Sequence, residues 1–144
     1  MKLALVCAVL GLALAPPAAI AKKGKLTYAG AVTLEPASEL RLKMIKKGGG
    51  KRNVKNLVFD GIPAACSGGR IETIGGSLSD SARVRKRKFK LEGSGPLQSL
   101  TLKGKVTRRG KRLSGTLSFS GTFEVDGQPL TCNTGPRSWS AKAT

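Results

Sequence analysis

Few side chains in this sequence could perform catalysis. The 144 residues include no histidine and only eight aspartates and glutamates. The missing imidazole excludes Ser-His-Asp and Cys-His catalysis and also His-ligated zinc. Glu124 and Asp126 lie two residues apart and could share a strand face as a general acid and base. Asp126-Gly127 is, however, a strong hairpin dipeptide, so a turn is the favoured interpretation.

Basic residues are far more abundant than acidic ones. There are 26 lysines and arginines, the net charge is +18, and residues 41–55, 83–90 and 103–112 form three basic blocks without a single acid. Such blocks attract polyanions through counterion release and a long-range field. The residues predicted to bind a polyanion are Lys43, Arg83, Arg85, Lys86, Arg87, Lys88, Lys90, Lys103, Lys105, Arg108 and Arg109.

The block at residues 83–90 carries charge on both faces of any strand it forms. A strand packed on two sides does not tolerate this, so an edge strand or a protruding ribbon is predicted. Cations on an edge also prevent edge-to-edge aggregation, and this role is an alternative to ligand binding. The partners we consider are wall polymers, acidic lipid headgroups, extracellular nucleic acid and acidic polysaccharide. Sequence-specific nucleic-acid binding, a cofactor and a metal site are not expected.

The first residues have the pattern of an export signal. Lys2 precedes an apolar stretch, a Pro16-Pro17 break follows, and Ala19-Ile20-Ala21 is a small-residue cleavage site. We therefore predict a signal peptide over residues 1–21 and a single domain over residues 22–144. The protein would be secreted, in the extracellular space or the cell envelope, with no transmembrane segment in the mature chain.

Export leaves two cysteines, Cys66 and Cys132. In an oxidising compartment these favour one structural disulfide over free thiols or a redox or metal site. A bridge is also what the composition requires, because leucine, isoleucine, valine and phenylalanine are scarce in the mature chain and the core must be thin.

The elements that position these residues follow a period of two. Apolar residues alternate through several short runs separated by glycine-rich turns, and none of the mature chain has a helical pattern. The clearest hairpin spans residues 99–123, with its turn near residues 108–112 and with Lys103 and Lys105 facing solvent. The fold class predicted is all-β: an antiparallel β-sandwich or a small closed or curled barrel of about seven to nine strands with one disulfide. The alternating residues expected on the inner face are Leu26, Tyr28, Val32, Leu34, Leu40, Leu42, Met44, Leu57, Phe59, Leu100, Leu102, Val106, Leu113, Leu117 and Phe119.

Glycines and one tryptophan add detail to this expectation. Gly104, Gly115 and Gly121 lie inside strand patterns, where glycine marks a bulge or a close approach of another backbone. We interpret them as curvature devices, with backbone cleared for a ligand as the alternative. Trp139 is expected to pack in the core beside the disulfide, with a surface carbohydrate contact as the alternative.

Three segments carry a resemblance to known sequences. They are Cys66-Ser67-Gly68, Cys132-Asn133-Thr134-Gly135 and Trp139-Ser140-Ala141, within a match of about residues 54–141. This Cys-x-Gly, Cys-x-x-Gly and Trp-x-Ala pattern resembles a group of small exported bacterial all-β proteins of unknown function. The resemblance implies an exported all-β domain with the two cysteines joined, and it implies no activity.

These observations favour a non-enzymatic envelope or extracellular module that binds an anionic polymer or surface. The alternatives are a hydrolase or other enzyme using carboxylates, and a purely structural secreted protein whose charge keeps it soluble. A basic face joining Lys43, Arg85, Lys103 and Lys105 would favour polyanion binding. A deep pocket with two or more carboxylates would favour the enzyme.

Overall fold

Nine antiparallel strands form one sheet within residues 24–144. The computed structural model describes residues 24–144, so the predicted signal peptide lies outside the described residues. Within residues 24–144 the only helical elements are two three-residue 3-10 turns, and no helix is long and apolar enough to cross a membrane. The strands are β1 (Gly24–Val32), β2 (Glu35–Lys46), β3 (Arg52–Cys66), β4 (Ile71–Arg83), β5 (Lys88–Gly95), β6 (Gln98–Val106), β7 (Arg112–Val125), β8 (Gln128–Asn133) and β9 (Arg137–Ala143).

The sheet curls back on itself through β8. Its bonded order is β4-β3-β2-β1-β9-β7-β6-β5, and β8 pairs with both β3 and β7. This closes a ring of six strands, in the order β3-β2-β1-β9-β7-β8. In this ring β3 meets β8 at only two residue pairs, Ala65 with Asn133 and Cys66 with Cys132. The all-β, curled form of the prediction is confirmed.

The predicted disulfide is present and lies at this narrow closure. Cys66 on β3 is bonded to Cys132 on β8 across a sequence separation of 66 residues. Both half-cystines are buried. The bridge therefore joins the ring covalently at the point where its hydrogen-bonded ladder is shortest.

Period-two alternation places the core as the sequence predicts. Leu40, Leu42 and Met44 on β2 are fully buried, and the residues between them are exposed or half-buried. The β6–β7 hairpin is also confirmed, with Leu102 inward and Lys103 outward. Leu34 is an incorrect prediction, because it lies in the turn between β1 and β2 and is 80% exposed.

Trp139 is buried, but not beside the disulfide. It pairs with Gly115 on β7, whereas Cys132 pairs with Gly121, six residues further along the same strand. At about 3.4 Å per residue the two sites are roughly 20 Å apart. The indole instead packs near Phe89, with 6.4 Å between ring centroids. The prediction of a core residue holds, and its assignment to the disulfide is wrong.

Tyr28 fastens the β6–β7 turn to the body of the sheet. Its hydroxyl is buried and donates a hydrogen bond of 2.6 Å to the carbonyl oxygen of Gly110. Burial raises the pKa of Tyr28 above its ordinary value of 10.0, and the nearby positive charge of Arg52 lowers it by less. The folded state therefore holds this proton to higher pH than the unfolded chain does.

This difference predicts a loss of stability in alkali. The stabilisation is fully present below about pH 10 and is lost as the pH rises through the raised pKa of Tyr28, because the unfolded state releases the proton first. We expect Tyr28→Phe to cost about 1 kcal/mol near neutral pH through the lost hydrogen bond. The gap between the variant and the natural protein should narrow above about pH 10. Urea unfolding across this range measures the effect, and a constant gap would contradict it.

Candidate functional site

The basic segment at residues 83–90 joins the two edges of the sheet. β4 and β5 stand at opposite ends of the bonded order, yet they are consecutive in the chain. They lie close together in space, and an isolated antiparallel bridge between Arg85 and Lys88 closes the segment that connects them. The charge pattern predicted an edge or a protruding ribbon, and this segment is the hairpin that connects two edges.

A broad groove opens beside this hairpin. Its volume is about 1220 Å³, and it extends from the end of β4 across β5, β6, β7 and β9. We call it the basic groove, because six cations and no carboxylate line it. Its polar lining consists of Arg83, Arg85, Lys88, Lys90, Lys103 and Lys105, together with the hydroxyls of Thr33, Ser81, Ser114, Thr116, Ser138 and Ser140.

Strand register arranges these side chains in two rows. In the first row, Lys88, Lys105, Ser114 and Ser140 face one another in turn across β5, β6, β7 and β9. In the second row, the corresponding residues are Lys90, Lys103, Thr116 and Ser138. Neighbours within a row are about 5 Å apart, and the rows are separated by two residues, about 7 Å. Each row begins with two cations and continues with two hydroxyls.

The facing lysines repel each other. Lys88 lies opposite Lys105, and Lys90 lies opposite Lys103. Like charges directly opposite on a sheet are destabilising. The nearest compensation is Glu92, whose carboxylate lies 2.6 Å from the Nζ of Lys90, and both of these side chains are more than half exposed. An anion bound in the groove would relieve the repulsion.

The row between the two polar rows points into the core. It consists of Phe89, Gly104, Gly115 and Trp139, which face one another across the same four strands. Gly104 has no side chain to separate it from Phe89, and a Cβ there would overlap the phenyl ring. The aromatic rings are buried, so they support the groove from below and offer no exposed platform for stacking bases or sugars.

Five of the predicted polyanion-binding residues are not among those lining the groove. Lys43 is on β2, opposite Lys55, so the predicted basic face does not extend to it. Arg108 and Arg109 are exposed in the turn between β6 and β7. Lys86 and Arg87 form the tip of the β4–β5 hairpin, directly between two residues that do line the groove.

The two carboxylates considered for catalysis lie away from the groove. Glu124 faces Pro129, and Asp126 begins the turn between β7 and β8 with a φ of 52° followed by Gly127 at 73°. The turn interpretation of Asp126-Gly127 is therefore confirmed. The strands bring Glu39 opposite Asp60 in a pocket of about 490 Å³, where Glu39 accepts a 3.1 Å bond from Arg41.

The hydroxyl residues of the groove were missed by sequence reasoning. Alternation alone places Ser114 with Thr116, and Ser138 with Ser140, on an outer face of a strand. What the sequence does not contain is the register that sets β7 between β6 and β9. Without that register, the hydroxyls could not be assigned to the same surface as the lysines.

No group of three or more histidine, cysteine, aspartate or glutamate side chains that could hold a metal ion occurs in the part of the chain from residue 24 onward. Comparison with protein-family models, with curated proteins and with solved structures finds no match for this chain.

Proposed function

We propose that the protein is a secreted, non-enzymatic module that binds an anionic polymer or surface in the basic groove. The observation that carries this proposal is the convergence of six cations from three strands and one turn on a groove that no carboxylate lines. Export is supported by the signal-like first 21 residues, by the resemblance to small exported all-β proteins and by the disulfide.

The composition of the groove suits a polyanion. Lysine and arginine neutralise anionic groups, while serine and threonine hydroxyls donate neutral hydrogen bonds to the same oxygens. The lysine pairs face each other and repel, which lowers the stability of the free protein. A bound anion would reduce this repulsion, and the stability regained would contribute to the binding free energy. Solubility alone does not require this arrangement, because dispersed charges serve it equally well.

The test is a salt-dependent titration with duplex DNA as the probe. We expect Lys88→Gln, Lys90→Gln, Lys103→Gln and Lys105→Gln in combination to lower the slope of log affinity against log salt by about three to four. Affinity at low salt should fall by more than about 100-fold, because four phosphate contacts are lost. Fluorescence anisotropy at three salt concentrations measures both quantities.

A matched control removes the same charge from other surfaces. Lys25, Lys47, Lys51 and Lys142 are exposed and do not line the groove. Changing these four to glutamine should leave most of the affinity in place. Equal losses in the two variants would show that only net charge matters, and no binding at low salt would overturn the proposal. In either case edge protection and solubility would become the role of the basic blocks.

A further inference from the structure

The tip of the β4–β5 hairpin has an unusual backbone. Arg85 and Lys88 exchange two backbone hydrogen bonds, of 2.9 and 2.8 Å, so the loop between them has only two residues. Those residues, Lys86 and Arg87, have φ angles of 46° and 63°. Two successive left-handed residues in a two-residue loop make a type I′ turn, which matches the twist of a hairpin.

Lysine and arginine are poor residues for this turn. Type I′ positions favour asparagine, aspartate and glycine, because other side chains crowd the backbone when φ is positive. The rest of the described chain obeys this preference, since its other positive-φ residues are glycines, Asn56 and Asp126. The turn between β7 and β8 uses Asp126-Gly127 for the same geometry. Lys86-Arg87 is the exception within residues 24–144.

Packing of the two side chains does not account for the exception. Both residues are exposed. The backbone around them is nevertheless fixed, because the Val84 N–H donates to the carbonyl of Arg52 and the Val106 N–H donates to the carbonyl of Arg87, each at 2.8 Å. The backbone of the tip is therefore attached to β3 on one side and to β6 on the other, and it fixes the positions beside the groove from which the two cationic side chains extend.

We infer that Lys86 and Arg87 bind the polyanion, and that the strained turn is retained because it presents their charges beside the basic groove. Strained backbone that the surrounding structure holds in place is concentrated at functional sites. This inference rests on the proposed function and extends its site from the groove onto the hairpin tip. Arg85 and Lys88, which flank the tip, already line the groove.

The spacing of the cations favours a densely charged phosphodiester polymer as the ligand. The lysines of the groove lie about 5 Å apart within a row and about 7 Å apart between rows. The tip adds two more cations that are adjacent in the chain. Polymers with one phosphate per monomer match such a density, whereas a polysaccharide with one carboxylate per disaccharide leaves most of these cations unpaired. Arginine at the tip also suits the bidentate geometry of a phosphate.

The experiment uses two variants of the tip and one variant of the turn between β7 and β8. Lys86→Asn with Arg87→Gly supplies the preferred turn residues and removes both charges, and Lys86→Gln with Arg87→Gln removes the charges without relieving the backbone. We expect both variants to lower the salt slope for duplex DNA by about two. The first alone should raise the urea concentration at the midpoint of unfolding, because it alone relieves the turn. In the third variant, Asp126→Lys with Gly127→Arg, the midpoint should fall. Adding these two changes to the Lys86→Gln, Arg87→Gln variant should not restore the lost affinity.

The outcomes separate this inference from the proposed function. If the four-lysine groove variant loses DNA binding while the tip variants bind as the natural protein does, the inference fails and the groove stands. If no variant changes binding, both fail. If Lys86→Asn with Arg87→Gly raised the urea midpoint and left the affinity for duplex DNA unchanged, the inference would also be overturned, because the strained turn would then make no contribution to binding. Tighter binding of hyaluronate than of duplex DNA at equal salt would overturn the assignment to a dense phosphate polymer.

Discussion

Replacing both Cys66 and Cys132 with alanine is expected to lower the free energy of unfolding by about 4 kcal/mol. The disulfide closes a loop of 66 residues, and a cross-link of that span restricts the unfolded chain strongly. In the folded state of the variant, the structural effect is expected to be concentrated at the contact between β3 and β8, because only two residue pairs join these strands. Urea unfolding of the oxidised natural protein and of the double variant measures the difference.

Reduction supplies the control for this prediction. The natural protein in a reducing agent should unfold at nearly the same urea concentration as the double variant, and the reducing agent should not affect the variant. Hydrogen exchange should quicken first at the β3–β8 closure, where Ala65 pairs with Asn133. Equal stability of the oxidised and reduced proteins would contradict the role we assign to the bridge.

Gly115→Ala is expected to destabilise the fold by about 3 kcal/mol. A Cβ at this position would overlap the carbonyl oxygen of Lys103 and would lie 2.7 Å from the Cα of Gly104. Both obstacles are backbone atoms of β6, so no side-chain rotation removes them. The β6–β7 ladder must shift instead, and the lysines of β6 that line the basic groove shift with it.

Gly95→Ala is the matched control. Gly95 is also in a strand, its φ is not in the left-handed region, and nothing lies within 4 Å of a Cβ built there. We expect a change within about 0.5 kcal/mol for this variant. Thermal unfolding of the two variants, with near-ultraviolet circular dichroism of Trp139, distinguishes a displaced β6 from a general effect of alanine in strands. Equal midpoints would show that the ladder yields to the extra atom without cost.

The inner face of each strand could be predicted from the sequence, because alternation is a local property. Leu100, Leu102 and Val106 alternate with polar residues, and their burial follows. Leu34 was wrongly predicted to be buried, because it continues the alternation of β1 into the two-residue turn that follows Val32. Local pattern thus determined which side chains face the core and did not mark where every strand ends.

Relations between distant strands could not be predicted. Trp139 was assigned to the disulfide because a buried tryptophan packs against the bridge in known β-sandwiches, but β9 pairs at the far end of β7. The groove could not be predicted for the same reason: the lysines of β5 and β6 lie beside the hydroxyls of β7 and β9 only because of how these strands pair. The Lys86-Arg87 turn was hidden for another reason: its residues carry no turn signal, and tertiary bonds to Arg52 and Val106 hold it in place.

The bonded order of the strands has a consequence for how the chain can be connected. With β8 set aside, the order from β5 to β9 and then from β1 to β4 is that of a simple meander whose first and last strands, β5 and β4, are joined by the β4–β5 turn, and whose backbone is interrupted between β9 and β1. Val32 pairs with Trp139 and the hydroxyl of Thr144 reaches the carbonyl of Thr27, so β1 and β9 are neighbours although 117 residues separate the last pair. A circular permutant opened between Lys86 and Arg87 would keep every ladder and turn this distant pairing into a local one. Because distant pairings slow folding, such a permutant would fold faster than the natural chain.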